Sequence, residues 1–329
     1  MQSPESFKDL LFSVHPGNFE KMALSLFRYQ AKENSVYRTY LEHLNVNPKD
    51  IDAIDQIPFL PVELFRNHKV MTGHQPVAKI FRSSGTTGSI ASQHYVADIQ
   101  LYEKSLLHCF RQFYGDPAEY IFLALLPSYL ERAQSSLVYM AQVLIRESNH
   151  SSSGFFKDDL PKLLALIEQE RNAPRKIFLL GVSFALLDLA QQYKPQLGRA
   201  IVMETGGMKG RREELIREEL HHELKMGFGI ETIHSEYGMT ELLSQAYSAG
   251  NGSFRCPPWM SVLIRDISDP FAFLPQGDSG AINIIDFANL YSCSFIATSD
   301  IGRCHAHGSF EVLGRLDHSE IRGCSLLMP

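Results

Sequence analysis

The chain lacks the two sequence patterns that would direct it into or across a membrane. Its longest apolar stretch lies near Ile121–Leu126 and is far shorter than the about 20 residues that a transmembrane helix needs. Its amino terminus, Met1-Gln2-Ser3-Pro4-Glu5-Ser6, does not have the basic and then apolar pattern of a signal peptide. We therefore expect a cytoplasmic protein without a membrane span.

A basic excess is also missing. The 329 residues include 31 Lys and Arg against 37 Asp and Glu, which gives a formal net charge of −6. Nucleic-acid-binding domains usually carry a basic stripe, and the sequence shows none. We therefore exclude nucleic acid as a partner. Hydrophobic residues make up 44% of the chain and charged residues 21%, which is typical of a globular protein with a substantial core.

Paired cysteine motifs are absent as well. The five cysteines are odd in number and form no Cys-x-x-Cys pair, which is typical of a protein with reduced thiols. Cys293, Cys304, His305 and His307 lie close enough in sequence to suggest a metal. However, they contain one close pair of ligands where structural zinc sites usually have two. We interpret these four residues as loop residues.

The hydrophobic pattern divides the chain into three parts and predicts an α/β fold. Residues 1–75 have helical spacing of apolar side chains and are expected to form the helical part of the core. Residues 76–252 alternate strands with helices, which favours a mainly parallel sheet flanked by helices. Residues 253–329 contain short strands separated by Pro, Gly and Asp, which predict a small antiparallel β-rich part.

The elements of the middle and last parts can be placed individually from the same pattern. The predicted strands are Val77–Arg82, Tyr120–Leu125, Lys176–Leu180, Ala200–Glu204, Glu231–Ser235, Val262–Ile267, Gly280–Phe287 and Ser309–Leu313. The predicted helices are Asp98–Phe113, Ser135–Ile145, Leu160–Glu170, Ser183–Gln192 and Arg211–Met226. The last helix contains His221-His222-Glu223, which we interpret as part of a solvated face because charged residues recur on it four positions apart.

Three short segments suggest nucleotide chemistry. Ser83-Ser84-Gly85-Thr86-Thr87-Gly88 is a hydroxyl- and glycine-rich loop of the kind that surrounds phosphate oxygens. Tyr237-Gly238-Met239-Thr240-Glu241 places a hydroxyl beside a carboxylate, a pairing that can hold a phosphate and its Mg²⁺. Thr298-Ser299-Asp300 and Gly314-Arg315-Leu316-Asp317 supply an aspartate for ribose hydroxyls and an arginine for an anionic nucleotide.

These segments, in this order, resemble the core motifs of the adenylate-forming (ANL) superfamily of acyl-CoA synthetases, luciferases and peptide-synthetase adenylation domains. The resemblance runs from about residue 80 to residue 323 and implies an adenylate-forming fold that uses ATP and Mg²⁺. It also implies site residues. The ones that bind the nucleotide are Ser84, Gly85, Thr86, Thr87 and Gly88 at the departing phosphates, Gly206, Gly207 and Tyr237 at adenine, Asp300 at ribose, Arg315 at ribose or phosphate, and Gly238. Thr240 is expected at the α-phosphate and Glu241 at Mg²⁺.

The amino-terminal text resembles one branch of that superfamily, the LuxE-type acyl-protein synthetases. Ile57–Phe65 and Leu126–Arg132 carry this resemblance, together with Glu320-Ile321-Arg322-Gly323-Cys324-Ser325. It implies that a fatty acid is activated with ATP, loaded onto a cysteine of the enzyme itself and passed to an acyl reductase partner. The resemblance implies an acyl-accepting cysteine near the carboxyl terminus, which makes Cys324 the expected acceptor. A lone cysteine near a terminus is usually inert, but Arg322 and His318 supply cationic side chains that favour a thiolate.

Two departures from the wider superfamily keep other interpretations open. No lysine follows the glycine-rich loop, where most members have Pro-Lys, and the chain is expected to lack the carboxyl-terminal lid domain. One alternative is a ligase with an external acceptor, similar to phenylacetate–CoA ligases. Another is a non-catalytic AMP-binding partner subunit.

Several further side chains have both a functional and a structural interpretation. His94 and His234 flank motifs and could orient substrate, although structural histidines are commoner. Tyr129 and Arg132 could line the acid site or simply start a helix. Cys109, on a probable helix, is interpreted as core filling. The residues that could line an apolar acyl pocket, or equally the core, are Phe178, Phe184, Leu186 and Leu187.

Overall fold

The computed structural model describes residues 4–83, 91–126, 133–206 and 215–316. Its α-helices are α1 (Pro4–Leu10), α2 (Pro16–Glu33), α3 (Ser35–His43), α4 (Leu64–Asn67), α5 (Ile99–Tyr114), α6 (Ser136–Ser148), α7 (Leu160–Glu170), α8 (Ser183–Gln192) and α9 (Arg217–Phe228). Within those ranges, every helix is too short or too polar to cross a lipid bilayer.

The strands alternate with the helices in the middle of the chain and follow one another near its end. They are β1 (Leu60–Pro61), β2 (Lys79–Arg82), β3 (Gln93–Val96), β4 (Tyr120–Leu125), β5 (Gly154–Phe155), β6 (Lys176–Val182), β7 (Ile201–Thr205), β8 (His234–Tyr237), β9 (Ala246–Ser248), β10 (Phe254–Arg255), β11 (Met260–Arg265), β12 (Ser279–Asp286), β13 (Phe295–Cys304) and β14 (Ser309–Arg315).

One large sheet contains all the described strands except β2 and β3, which form a separate antiparallel pair. Its order is β5-β4-β6-β7-β8-β9-β10-β14-β13-β12-β11, with β1 added alongside β13. The strands from β5 to β8 are parallel, and those from β9 to β11 in this order pair antiparallel with one another, whereas β1 is parallel to β13. The predicted α/β fold, with a parallel part and an antiparallel part, is therefore confirmed. The two parts are joined into one sheet, and the three-part domain division stays a prediction.

Strand β4 shows how the parallel part is covered on both faces. Ile121, Leu123 and Leu125 point to one apolar cluster, which includes residues of α7, α8 and α9. Phe122 and Ala124 point to the other cluster, which includes residues of α5 and α6. Successive side chains of a strand alternate between faces, so a continuous apolar run is what a strand buried on both faces requires.

The sequence pattern predicted the bounds of one buried strand and two helices correctly. Tyr120–Leu125, Leu160–Glu170 and Ser183–Gln192 have the predicted bounds. The predicted helix at Arg211–Met226 begins at Arg217 among the described residues. The pattern did not predict β3 or β13, because both contain buried polar residues such as His94, Thr298 and Asp300 that break an apolar run.

Candidate active site

The motif residues collect at the carboxyl ends of the parallel strands. Strands β6, β7 and β8 end at Val182, Thr205 and Tyr237, side by side in the sheet. In open α/β sheets this edge is where ligands usually bind, because the loops that leave the strands diverge there. The antiparallel strands β13 and β14 bring the third motif to the same region.

Tyr237, Asp300 and Arg315 form one hydrogen-bonded cluster. The Tyr237 hydroxyl donates to Asp300 Oδ2 at 2.8 Å, and Arg315 Nε donates to Asp300 Oδ1 at 2.9 Å. Asp300 and Arg315 are direct partners in the register of β13 and β14. Asp300 is buried, whereas the Arg315 side chain is 72% exposed. The structure therefore brings together three residues that lie in separate motifs and gives Arg315 access to solvent.

The ring of Tyr237 is fixed by two aromatic neighbours. Phe254 and Phe310 meet it edge to face, with ring centroids 6.0 and 5.6 Å away. Burial, together with the negative charge of Asp300, raises the pKa of Tyr237 well above its usual value. The phenol therefore stays protonated and remains a hydrogen-bond donor to Asp300. Gly238 follows it, and a Cβ at that position would overlap Oε1 of Glu236.

The ends of the glycine-rich loop are joined beside Glu241. Strands β2 and β3 pair, and beyond them Ser83 N–H donates to Ser92 O at 3.1 Å while Ser92 N–H donates to Ser83 Oγ at 2.9 Å. The side chain of Ser92 is hydrogen-bonded to the carboxyl group of Glu241. The predicted phosphate-binding residues Ser84, Gly85, Thr86, Thr87 and Gly88 lie outside the described residues.

Glu241 itself is buried, and its surroundings disfavour its charged form. Burial raises the pKa of its carboxyl group, and the hydrogen bond from Ser92 opposes that shift. The positive charge of the more distant Arg315 lowers the pKa of Glu241, and the negative charge of Asp300 raises it. A buried carboxylate of this kind is stabilised when a cation binds next to it.

A buried polar network holds the backbone of the Thr240-Glu241 segment. His94 Nδ1 lies 2.9 Å from the carbonyl oxygen of Thr240, and Asn289 Nδ2 donates to that of Glu241 at 2.8 Å. Two residues farther on, the carboxylate of Asp286 accepts the backbone N–H groups of Leu243 and Ser244 at 3.0 and 2.9 Å. Asp286 and Asn289 belong to no recognisable motif, and the sequence offered no signal for either.

The tautomer of His94 follows from its partners. A carbonyl oxygen can only accept, so Nδ1 carries the hydrogen that is donated to Thr240. Nε2 then accepts from the Ser292 hydroxyl, which lies 2.9 Å away. Burial lowers the pKa of His94 to about 4. His94 is thus a neutral positioning residue, and the structural interpretation of this histidine is the one its contacts support.

We expect His94 to make folding sensitive to acid. The unfolded chain binds a proton at this site near pH 6.5 and the folded chain only near pH 4, so the folded state loses stability as the pH falls through that interval. This one group should lower the free energy of unfolding by about 2 kcal/mol between pH 7 and pH 5. Urea unfolding of the wild type and of His94→Gln at both pH values measures it.

The comparison with His94→Gln isolates that contribution. Glu236 and Asp286 have raised pKa values and act in the opposite direction, but they are present in both proteins. The difference in pH dependence between the two proteins is therefore assigned to His94. An equal pH dependence in both would contradict the neutral, buried histidine.

The loop after β7 rests on a second buried cluster. Ser183 Oγ lies 2.6 Å from the carbonyl oxygen of Gly206 and 3.0 Å from Glu204 Oε2. Gly206 has a φ of +70°, which glycine adopts at low cost. Arg217 Nε lies 3.7 Å from Glu204 Oε1, and its Nη1 donates to Val312 O on β14 at 2.8 Å. Arg217 therefore connects the strand before Gly206 with the strand that carries Arg315.

His221 corrects the interpretation of α9 as a solvated face. It is buried, its Nε2 lies 3.6 Å from Glu204 Oε1, and Ser235 Oγ lies 3.4 Å from the same nitrogen. His222 and Glu223 are exposed, as predicted. The charge periodicity of the helix was correct, but one of its positions turns inward to the end of β7.

Other predicted residues lie away from this edge or on different sides of the sheet. His234 is at the amino end of β8, with Nδ1 3.2 Å from the Tyr114 hydroxyl. Phe178 belongs to the apolar cluster on the α5 side and Leu186 and Leu187 to the cluster on the other side. These residues therefore do not line one common acyl pocket. Cys109 is fully buried, as expected of a core residue.

The suggested zinc ligands do not converge. Cys293 is buried with its Sγ 3.4 Å from Phe295 O, Cys304 lies beside Val262 O, and His305 Nε2 lies 3.2 Å from Glu311 Oε1. Within the described ranges there is no group of three or more side chains that could hold a metal ion. Gly207, Tyr129, Arg132 and Cys324 lie outside the residues that the structure describes.

Comparison with known proteins supplies an independent test of the resemblance. Long-chain-fatty-acid–luciferin-component ligase of Vibrio harveyi is 23% identical over 345 residues, which covers 94% of this chain and 86% of that protein. The predicted resemblance is confirmed. No family model matches the chain.

Solved structures give the same result for the fold. A 2-hydroxyisobutyryl-CoA ligase in complex with 2-HIB-AMP and CoA matches 91% of this chain and 70% of its own, with a TM-score of 0.69 and 11% identity. ATP-bound MatB from Rhodopseudomonas palustris matches 78% of this chain with a TM-score of 0.56 and 20% identity. The chain spans about half the length of the MatB structures, 48% for an ATP-bound RpMatB-BxBclM chimera and 54% for MatB itself. The predicted adenylate-forming fold is thereby confirmed.

Proposed function

We propose that this protein is an ATP-dependent ligase that activates a carboxylic acid as an acyl-adenylate and transfers the acyl group to a protein cysteine. The cluster of Tyr237, Asp300 and Arg315 beside the buried Glu241 is the observation that carries this proposal. The name of the Vibrio relative, a long-chain-fatty-acid ligase, supports a fatty acid as the substrate. The ATP-bound MatB structures support ATP as the second substrate.

In the first step, a carboxylate oxygen of the acid attacks the α-phosphorus of ATP. A new P–O bond forms, the bond to the β-phosphate bridge breaks, and pyrophosphate leaves with the electron pair. The chain has to position the reactants and stabilise negative charge. We assign the ribose hydroxyls to Asp300, the solvent-accessible guanidinium of Arg315 to ribose or phosphate, and the α-phosphate to Thr240.

The surroundings of Glu241 fit a divalent cation. Its carboxyl group is buried, and burial raises its pKa, so the bound charge of a cation would favour the ionised form. Carboxylate oxygens are also what Mg²⁺ prefers as protein ligands, together with phosphate oxygens. When bound, Mg²⁺ supplies positive charge for the departing pyrophosphate. Glu241 is the residue that would hold it, and the Ser92 hydroxyl orients that carboxylate.

In the second step, a thiolate attacks the acyl carbon of the mixed anhydride. A C–S bond forms, the bond to the AMP oxygen breaks, and AMP leaves. We assign the thiol to Cys324, which follows Arg315 by nine residues. The resulting thioester is the form in which an acyl reductase or another acceptor protein would receive the acyl group.

An external thiol is the alternative acceptor. The likeness to a CoA ligase keeps it under consideration, since that protein was captured with CoA and an adenylate. Both alternatives share the first step and differ only in the thiol that attacks. Variants at Cys324 therefore distinguish them without affecting adenylate formation.

Acid-dependent exchange of labelled pyrophosphate into ATP tests the first step. We expect exchange with wild-type protein when a long-chain fatty acid and Mg²⁺ are present, and at least about tenfold less with Asp300→Asn, because the carboxylate that binds ribose loses its charge. Val312→Ala, on the strand of Arg315 but outside the cluster, serves as the control. Failure of wild-type protein to exchange with any carboxylic acid would favour a non-catalytic AMP-binding subunit.

A further inference from the structure

A cavity of about 150 Å³ opens beside β13, next to the residues that precede Asp300. Phe59, Phe271, Tyr40 and Leu316 supply aromatic and apolar walls, and Glu63 and Arg265 supply the charged groups. Phe271 is 51% exposed and lies at the cavity's opening to solvent. None of these six residues belongs to the site assigned to ATP.

Arg265 is held in place by neutral acceptors alone. Its Nη1 donates to Ile282 O at 3.0 Å and to Asn283 Oδ1 at 2.8 Å, and its Nη2 donates to Thr298 O at 2.8 Å. A guanidinium has five N–H donors, so Nε–H and one Nη2–H are left without an acceptor in the described part of the chain. No carboxylate there forms an ion pair with Arg265.

The surroundings of Arg265 offset only part of the cost of burying its positive charge. Burial lowers the pKa of Arg265, and the more distant charge of Glu63 offsets that effect only in part. A cation held rigidly by neutral oxygens at the wall of a cavity is suited to receive an anion, since two parallel N–H donors match a carboxylate. Its fixed geometry means that little conformational freedom is lost when the anion binds.

Glu63 limits the charge of that anion. Its carboxylate lines the same cavity and accepts a hydrogen bond from Ser299 Oγ at 2.7 Å. A dianion such as phosphate would be repelled by Glu63 more strongly than a single carboxylate, because the repulsion grows with the negative charge of the ligand. The size of the cavity limits the apolar part, because a cavity of about 150 Å³ accommodates a ring as large as benzene.

We propose that this cavity is a second ligand site, which binds a small monocarboxylate with an apolar body against Arg265, Phe59 and Phe271. The carboxylate accepts hydrogen bonds from the free donors of Arg265, and the apolar body packs against the aromatic walls. The site is separate from Glu241, and its ligand is not the acid that becomes adenylated. Through Thr298 and Ser299 it shares strand β13 with Asp300.

Calorimetric titration of the full chain with sodium benzoate, in the absence of ATP, tests this site. Benzamide is the matched probe, because it has the same ring and no charge. We expect benzoate to bind, and both benzamide with wild type and benzoate with Arg265→Gln to bind at least about tenfold more weakly. If benzoate bound equally well to wild type and Arg265→Gln, its binding site would lie outside this cavity, for example at the acid site of the proposed ligase. That result would overturn the inference.

A surface variant keeps the test decisive if Arg265→Gln fails to fold. Phe271→Glu changes a half-exposed side chain, removes one wall and adds a negative charge at the opening of the cavity. It should weaken benzoate binding at least about tenfold while leaving pyrophosphate exchange with ATP unchanged. Undetectable benzoate binding to the wild type, or unaltered binding to Phe271→Glu, would each contradict the proposal. Loss of exchange without loss of benzoate binding would concern the ligase proposal alone.

Discussion

Glu241→Gln should reduce acid-dependent pyrophosphate release by about 100- to 1,000-fold. Glutamine keeps the shape of the side chain and its hydrogen bond with Ser92. It removes the negative charge that we propose binds Mg²⁺. Because burial raises the pKa of this carboxyl group, a cation bound next to it and its ionised form stabilise each other. Initial rates measured over a range of Mg²⁺ concentrations should show the loss at every concentration, with a higher Mg²⁺ requirement for any remaining activity.

The neighbouring Glu236 provides a matched control. It is buried near the end of β8, five residues before Glu241. Burial raises its pKa to about 7, and its carboxyl group accepts a hydrogen bond from Thr205. Near neutral pH it is therefore substantially protonated, and glutamine replaces it with little change of charge. Glu236→Gln should retain pyrophosphate release within about threefold. Equal losses in both variants would show that the assignment of Mg²⁺ to Glu241 is wrong.

Cys324→Ser should abolish self-acylation and leave adenylate formation intact. A serine hydroxyl is a much weaker nucleophile than a thiolate, so the acyl-adenylate should accumulate or hydrolyse slowly. Intact-protein mass spectrometry after incubation with ATP, Mg²⁺ and a long-chain fatty acid should detect a hydroxylamine-labile acyl mass on wild type and none on the variant. Pyrophosphate exchange should be the same for both proteins.

Cys304→Ser is the control for a general effect of losing a thiol. Cys304 is half-buried on β13, and burial raises the pKa of its thiol, so it should take no part in the transfer and the acyl mass should persist. An acyl mass that remains on Cys324→Ser would assign the acceptor to another residue. A wild type that forms adenylate but never carries an acyl mass would favour an external thiol acceptor.

The sequence predicted the parallel half of the fold well for a physical reason. Strands such as Tyr120–Leu125 are buried on both faces, so their sequences are uninterrupted apolar runs. The conjunction of Tyr237, Asp300 and Arg315 was also predictable, because each lies in a motif of the resembled superfamily. The structure joins these residues by direct hydrogen bonds, and their roles toward a nucleotide remain proposals.

The buried hydrogen bonds that hold the backbone of the site in place could not be predicted in the same way. His94 and Thr240 are separated by 146 positions, and Asp286 holds backbone groups 42 and 43 positions away. Such contacts depend on how β3 and β12 are packed against the motif, and sequence periodicity carries no information on that. Strand β13 was missed for a related reason, because its polar residues are paired only in the folded sheet. Buried Thr298, for example, donates to Ile282 O at 2.9 Å.

Transfer of oxygen-18 from the carboxylic acid to AMP tests the central claim most directly. If a carboxylate oxygen attacks the α-phosphorus, the bridging oxygen stays with phosphorus when the thiol displaces AMP. A long-chain fatty acid labelled in both carboxylate oxygens should therefore yield AMP that carries one oxygen-18 atom, and unlabelled pyrophosphate. Release of ADP with labelled inorganic phosphate, or of AMP without label, would contradict acyl-adenylate formation by this protein.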